Sequence, residues 1–202
     1  MANDVVDHRR RRFLTVTTAV VGLGGVGTAI APFIKSWQPS ARSQAAGAPV
    51  TVDIGKIKPG QKVDYGWRGV PVCVINRTDA QVATLSTKDV RSRLRDPDSK
   101  ADQQPAYCEN DTRSIKPQWL VMTLICTHLG CVPDYKPKIG PEPFDPDWKS
   151  GFLCPCHKSR YDIAGRVYQG VPAPLNMVVP PYHFVDDTHV QIGVDPKNKG
   201  AA

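Results

Sequence analysis

The sequence predicts a mostly β protein: an antiparallel β-sheet head with a small loop-borne subdomain inserted in it, preceded by one N-terminal transmembrane helix. Three observations predict it. Phe13 to Ile34 is a run of 22 residues without a charge. From Val50 onward, short β-branched and aromatic runs alternate with turn residues. The chain's 19 prolines, many of them after residue 130, favour short strands and long loops over helices.

The anchor comes first. Arg9-Arg10-Arg11-Arg12 precedes the apolar run, and Lys35 and Trp37 follow it. At ~1.5 Å per residue such a run reaches about 33 Å, enough for a hydrocarbon core of roughly 30 Å. The arginines hold the N-terminus in the cytoplasm and place the remainder outside it. Arg10-Arg11-Arg12-Phe13-Leu14 also resembles a twin-arginine export signal, a route that carries folded proteins. The alternative is a cleaved signal peptide with Ala46-Gly47-Ala48 as its small-residue site, but the apolar run exceeds the usual 7–15 residues. Retention is favoured. Gly22-Leu23-Gly24-Gly25-Val26-Gly27 fits a dinucleotide-loop pattern without its strand–turn–helix context. Small-x-x-x-small pairs such as Gly24/Thr28 and Gly27/Ala31 suit close packing against another helix instead.

Residues 1–37 therefore read as a cytoplasmic tail and anchor, and 38–49, small and polar, as a flexible tether. Residues 50–202 form the head. Within it, Val50–Ile54, Lys62–Trp67 and Val70–Ile75 read as strands, with breaks at Gly60 and at Arg77-Thr78-Asp79. Ser86-x-x-Asp89 resembles a capping box that opens a short helix ending near Leu94. Residues 96–118 are mostly irregular. Trp119–Ile125 and Gly151–Leu153 are strands that deliver two loops. Further strands are expected near Arg166–Tyr168, Val178–Val179, His183–Val185 and Val190–Val194.

Charge excludes one function class. The net charge is +7, yet residues 1–49 carry six Lys/Arg against two Asp. Over half the excess thus sits beside the membrane. No basic stripe interleaved with aromatics appears, so nucleic acid is not the partner.

The chemistry lies in two runs, Cys126-Thr127-His128-Leu129-Gly130-Cys131 and Cys154-Pro155-Cys156-His157-Lys158-Ser159-Arg160-Tyr161. Each offers two thiols and one imidazole, and 22 residues separate them. A structural zinc ion needs only four ligands, and Cys-x-Cys-His is not a usual zinc-knuckle spacing. A loop pair stapled by disulfides leaves both histidines unexplained. Four metal ligands and one disulfide use the set better, which favours an iron–sulfur centre. An exported zinc-binding module stays as the non-redox alternative.

Together the two runs resemble the Rieske iron–sulfur subunit of a bacterial cytochrome bc-type quinol–cytochrome c oxidoreductase. The resemblance covers anchor, tether, both loops and the later Pro172-Ala173-Pro174-Leu175-Asn176 segment. It implies a Rieske-type antiparallel head whose cluster-binding subdomain spans about residues 124–162. It further implies one [2Fe-2S] cluster held by Cys126, His128, Cys154 and His157, and an inter-loop disulfide between Cys131 and Cys156. Two imidazoles in place of two thiolates make such a centre less negative, with potentials of about −150 to +300 mV against about −400 mV for all-thiolate ferredoxins. The implied activity is quinol oxidation, in which His157 accepts a hydrogen as iron takes the electron. The electron then passes to cytochrome c1. The implied partners are cytochrome b, cytochrome c1, quinol and membrane lipid. The implied location is the bacterial inner membrane, single-pass, with the N-terminus cytoplasmic and the head periplasmic. An arsenite oxidase small subunit is the alternative within the class; the long insert between the loops and the Pro172–Pro174 segment favour the quinol enzyme.

The resemblance also assigns Ser159 and Tyr161 as cofactor-binding hydroxyls that donate to a bridging sulfide and a cysteine sulfur and raise the potential. Lys158 stands where that family usually has glycine; if the position needs φ > 0, lysine is strained there. Cys73 reads as a buried free thiol in an apolar strand, Cys108 as a loop residue with which it could pair. His8, His183 and His189 read as ordinary surface or strand residues.

Overall fold

The computed structural model describes residues 7–41, 43 and 47–196. The tail before Asp7, Ala46 of the alternative cleavage site, and tether positions 42 and 44–46 lie outside the described residues. The chain divides after Ala45 into an anchor unit and a head unit.

In the anchor unit, α1 spans His8–Ser36 and buries no residue. Asp7 caps it, its carboxylate accepting from Arg9 N at 2.9 Å and Arg10 N at 3.2 Å. This one helix is long and apolar enough to cross a membrane. Three of its hydroxyls are satisfied within the helix, as hydrocarbon favours: Thr15, Thr17 and Thr28 donate to the carbonyls of Arg11, Phe13 and Gly25. A Cβ added at Gly22, Gly24, Gly25 or Gly27 would meet no other atom of the anchor unit within 4 Å beyond the helix's own backbone.

Among the described residues the head holds three antiparallel sheets of three strands. In the first, β1 (Val50–Asp53) pairs with β9 (His189–Ile192), which pairs with β8 (Tyr182–Phe184). In the second, β3 (Val70–Asn76) lies between β2 (Lys62–Trp67) and β4 (Trp119–Thr123). The third has β6 (Lys149–Leu153) between β5 (Asp134–Ile139) and β7 (Arg160–Asp162). Two short helices follow β3, α2 (Asp79–Thr84) and α3 (Lys88–Ser92).

In the second sheet β3 and β4 are buried on both faces, and strand alternation divides their side chains between two cores. Val72, Val74 and Val121 pack with Val52, Tyr182, Val190 and Ile192 of the first sheet. Cys73, Ile75, Leu120, Met122 and Leu124 pack on the other face with Phe152, Tyr161, Ile163 and Val167. The middle sheet is thus the slab on which the loop-bearing third sheet rests.

Several expected elements differ. β4 belongs to the middle sheet, hydrogen-bonded to β3, so the first loop leaves the middle sheet and enters β5, while the second runs between β6 and β7 within the inserted sheet. The predicted break at Arg77-Thr78-Asp79 opens α2, where Thr78 and Gln81 form a reciprocal capping box. The cap near residue 86 is Thr87, not Ser86; it turns Val90 into the core and leaves Asp89 in the first turn. No strand forms at Arg166–Tyr168 or Val178–Val179. There the Val167 N–H goes to Asn176 Oδ1, and Val179 N–H goes to the irregular Gln103 carbonyl. Cys73 and Cys108 are buried and unbridged, and burial pushes their thiols up to about 12 and about 11.

Three buried arginines tie the turn after β7 to the irregular segments around it, Arg77 reaching Ile163 O. Arg166 Nε binds Asp162 Oδ2 at 2.7 Å, Arg113 donates to Ala164 O and Met177 O, and Arg77 donates to Thr112 O and Ser114 Oγ. With their planar forks they satisfy loop carbonyls that no sheet reaches. The chain segment just beyond Tyr161 is fixed in this way.

Candidate metal centre

The two cysteine–histidine loops have one backbone design. In the first, Cys126 N donates to Cys131 O at 2.8 Å and Gly130 N to Cys126 O at 3.0 Å. In the second, Cys154 N donates to Ser159 O at 2.8 Å and Lys158 N to Cys154 O at 3.0 Å. Each is a six-residue loop closed by the same two bonds, so Cys126 corresponds to Cys154, Gly130 to Lys158 and Cys131 to Ser159. The fifth position is left-handed in both, with φ of 82° at Gly130 and 60° at Lys158. Glycine adopts that conformation freely; lysine carries a Cβ there that crowds the backbone.

The frame brings the predicted side chains together. Cys131 and Cys156 are disulfide-bonded and tie one loop to the other. Cys126 and Cys154 are free thiols, each only 2% exposed. Cys154 Sγ lies within 4.8 Å of both disulfide sulfurs. The rings of His128 and His157 meet edge to face, with centroids 4.8 Å apart. Within this set the thiols lie inward, while His157 is exposed and His128 half-buried.

Tyr161 reaches the first loop from β7. Its Oη lies 3.2 Å from Cys126 Sγ and donates to it, while Thr127 N donates to the same oxygen at 3.1 Å. Burial, and then the bond to Cys126, hold the phenol well above its usual range, so it stays a donor. Burial likewise pushes the Cys154 thiol up. Ser159 is fully buried, and its Oγ accepts from Ala173 N at 3.1 Å.

A third segment, Pro172–Asn176, braces both loops. Thr127 Oγ1 donates to Leu175 O at 2.7 Å, Ser159 takes the Ala173 N–H, and Asn176 Oδ1 takes the Val167 N–H at 2.9 Å. The sequence flagged this segment without saying what it touches. Two features it did not flag are the Thr127 bridge and Asp145. The latter, 2% exposed, pairs with both Arg93 and Arg160 and so fixes Arg160 below the second loop. Only Thr127 had a local signal, its place inside the first run. The surface of the loops is apolar in part: Leu129, next to His128, is 71% exposed, with Val132 and Leu175 also open.

This donor set fits a [2Fe-2S] cluster with mixed ligands. Two thiols remain after the disulfide is formed, buried thiols need a cation to ionise, and the same two loops carry two imidazoles in contact with each other. His183 and His189 take no part. His183 Nδ1 lies 3.2 Å from Val194 O. His189 sits on the surface with Asp186, whose carboxylate is lowered to about 2 by bonds from Thr188 first and then His189.

Comparison with known proteins agrees with this chemistry. Residues 50–183 match the Rieske [2Fe-2S] domain family. Residues 1–40 match the family described as "Ubiquitinol-cytochrome C reductase Fe-S subunit TAT signal". The ubiquinol-cytochrome c reductase iron-sulfur subunit of Allochromatium vinosum is 51% identical over 96% of this chain and 93% of its own. Its namesake in Blastochloris viridis is 41% identical over 95% of this chain and 97% of its own. A third, from Bradyrhizobium diazoefficiens, is 43% identical over 93% of this chain and 96% of its own. Buried thiols, paired imidazoles, an anchor helix with an export signal and these relatives lead to one assignment: the chain belongs to the Rieske [2Fe-2S] family, with the ubiquinol-cytochrome c reductase iron-sulfur subunits.

Proposed function

We propose that the chain is the membrane-anchored redox subunit of a quinol–cytochrome c reductase, with Cys126 and Cys154 on one iron and His128 and His157 on the other. The observation that carries the reading is the sorting of four cysteines into a disulfide and two buried free thiols beside two imidazoles. When bound, the cluster supplies a one-electron acceptor of raised potential.

The chain's own residues do the rest. The exposed His157 ring is placed to take a proton from a quinol hydroxyl at its free nitrogen. Leu129, Val132 and Leu175 offer an apolar collar that excludes water when the tip docks on cytochrome b, and again on cytochrome c1. Tyr161 and Ser159 provide hydroxyls next to the sulfur atoms, and Thr127 holds Tyr161 and the brace segment in register. The four arginines in the first turns of α1 favour a cytoplasmic N-terminus, which puts the head on the periplasmic side of a bacterial inner membrane. Residues 38–49 are the tether and 50–202 the redox domain.

The test is metal and sulfide analysis with EPR before and after ascorbate. Two irons, two labile sulfides and a signal that appears on reduction are expected. Cys126→Ser, His128→Ala, Cys154→Ser and His157→Ala should each abolish that signal. One zinc and no labile sulfide would refute the reading.

A further inference from the structure

Lys158 occupies a position where the fold itself asks for glycine. The corresponding residue of the first loop is Gly130, and both make the same hydrogen bond to the first cysteine of their loop while left-handed. A lysine held there keeps backbone strain that a glycine would remove, and strain of this kind clusters at functional sites. An ordinary solvated lysine would need no such position.

Its surroundings say what the use is. Lys158 is exposed, follows His157 directly, and shares a shallow concavity with Phe144, His157, Arg160 and Val171. Arg160 shares the buried Asp145 with Arg93, so one carboxylate partly offsets two guanidinium charges. Among the described residues no carboxylate pairs with Lys158. The concavity therefore carries an unpaired ammonium one residue from a ligand histidine. A fixed positive charge there lowers the energy of whichever redox state of the centre is more negative, which is the reduced one.

We propose that Lys158 is retained for its charge and raises the reduction potential of the centre. It touches neither substrate nor cofactor and acts through its field alone. The inference rests on the [2Fe-2S] reading above. Because the ammonium is exposed, water screens it, and the effect is modest: about three-fold in the reduced-to-oxidised ratio at fixed potential, or about 28 mV for a one-electron couple.

EPR-monitored redox titration of the full-length protein in detergent separates charge from backbone. Lys158→Gln loses the charge and keeps the strain; Lys158→Gly loses both; Lys158→Arg keeps both. The Gln and Gly variants should fall in potential by the same amount, and Arg should match the parent. Raising the salt from about 10 mM to about 0.5 M should shrink the Lys-to-Gln difference, since a surface charge is then screened within a few ångströms. Thermal stability should rise in the Gly variant alone, which marks the backbone effect. A Gln variant with the parent's potential overturns the proposal, as does a shift that salt leaves unchanged or one the Arg variant shares. A parent without labile sulfide or EPR signal overturns the cluster reading as well; a normal signal with equal potentials overturns this inference only.

Discussion

Tyr161 touches the first loop at three atoms: its hydroxyl donates to Cys126 Sγ, accepts from Thr127 N, and lies 3.2 Å from Thr127 Oγ1. A donor to cysteine sulfur is stronger when the centre has gained an electron, so it favours reduction. If the difference is about 1–2 kcal/mol, comparable to a hydrogen bond to a charged group, Tyr161→Phe should lower the potential by roughly 40–90 mV. Ser159→Ala should act in the same direction. It also strips the buried Ala173 N–H of its acceptor, a loss of about 1–3 kcal/mol in stability that Tyr161→Phe does not share. Redox titration of both variants, with denaturation of each, checks the pair. Unchanged potentials would make Ser159 and Tyr161 packing residues only.

At the scale of elements, β3 is the central strand, and the thiol it buries gives stability a predictable pH dependence. Folded Cys73 titrates at about 12 against an ordinary 9.0, because burial disfavours the thiolate. The native state therefore keeps a proton that the unfolded chain loses. The stability due to the neutral thiol is complete below about pH 9 and is lost as pH rises through about 12. Cys108, raised to about 11, adds to the same decline. Urea denaturation at about pH 8 and about pH 10.5 should show a smaller alkaline loss in Cys73→Ala/Cys108→Ala than in the parent. Parallel declines would exclude both thiols as the cause.

How far such elements could be read from the sequence varied with their environment. β2 was legible to the residue, Lys62–Trp67, since Gly60 breaks the chain just before it, and β3 stood out as an apolar run because both its faces are buried. β5, Asp-Tyr-Lys-Pro-Lys-Ile, was not read. It is a largely exposed edge strand with a proline, and no core imposes an alternation on it. The candidate ligands were legible because they are packed into two short motifs. The bond from Thr127 to Leu175, 48 residues on, and the Asp145 pairs were not, because such contacts exist only after the sheets have stacked.

The whole molecule joins a disulfide, which needs an oxidising compartment, to a metal centre whose thiols must first meet iron. Export of a head already folded around its centre reconciles the two, and the N-terminus is equipped for it. Arg10 and Arg11 open α1 ahead of the span, within residues that match the TAT-signal family. The same arginines also supply positive-inside charge, so the two roles need separating. The double substitution Arg10→Lys/Arg11→Lys keeps every charge and every residue of the span. If the pair is read as a signal, the variant should still carry its cluster but remain on the cytoplasmic side. Cys131 and Cys156 should then stay reduced, because no oxidising step is reached. In the parent the head should be open to protease added to spheroplasts, and both cysteines should resist alkylation until a reductant is added. A variant exported and disulfide-bonded like the parent would leave the arginines with only their electrostatic role, orienting the anchor.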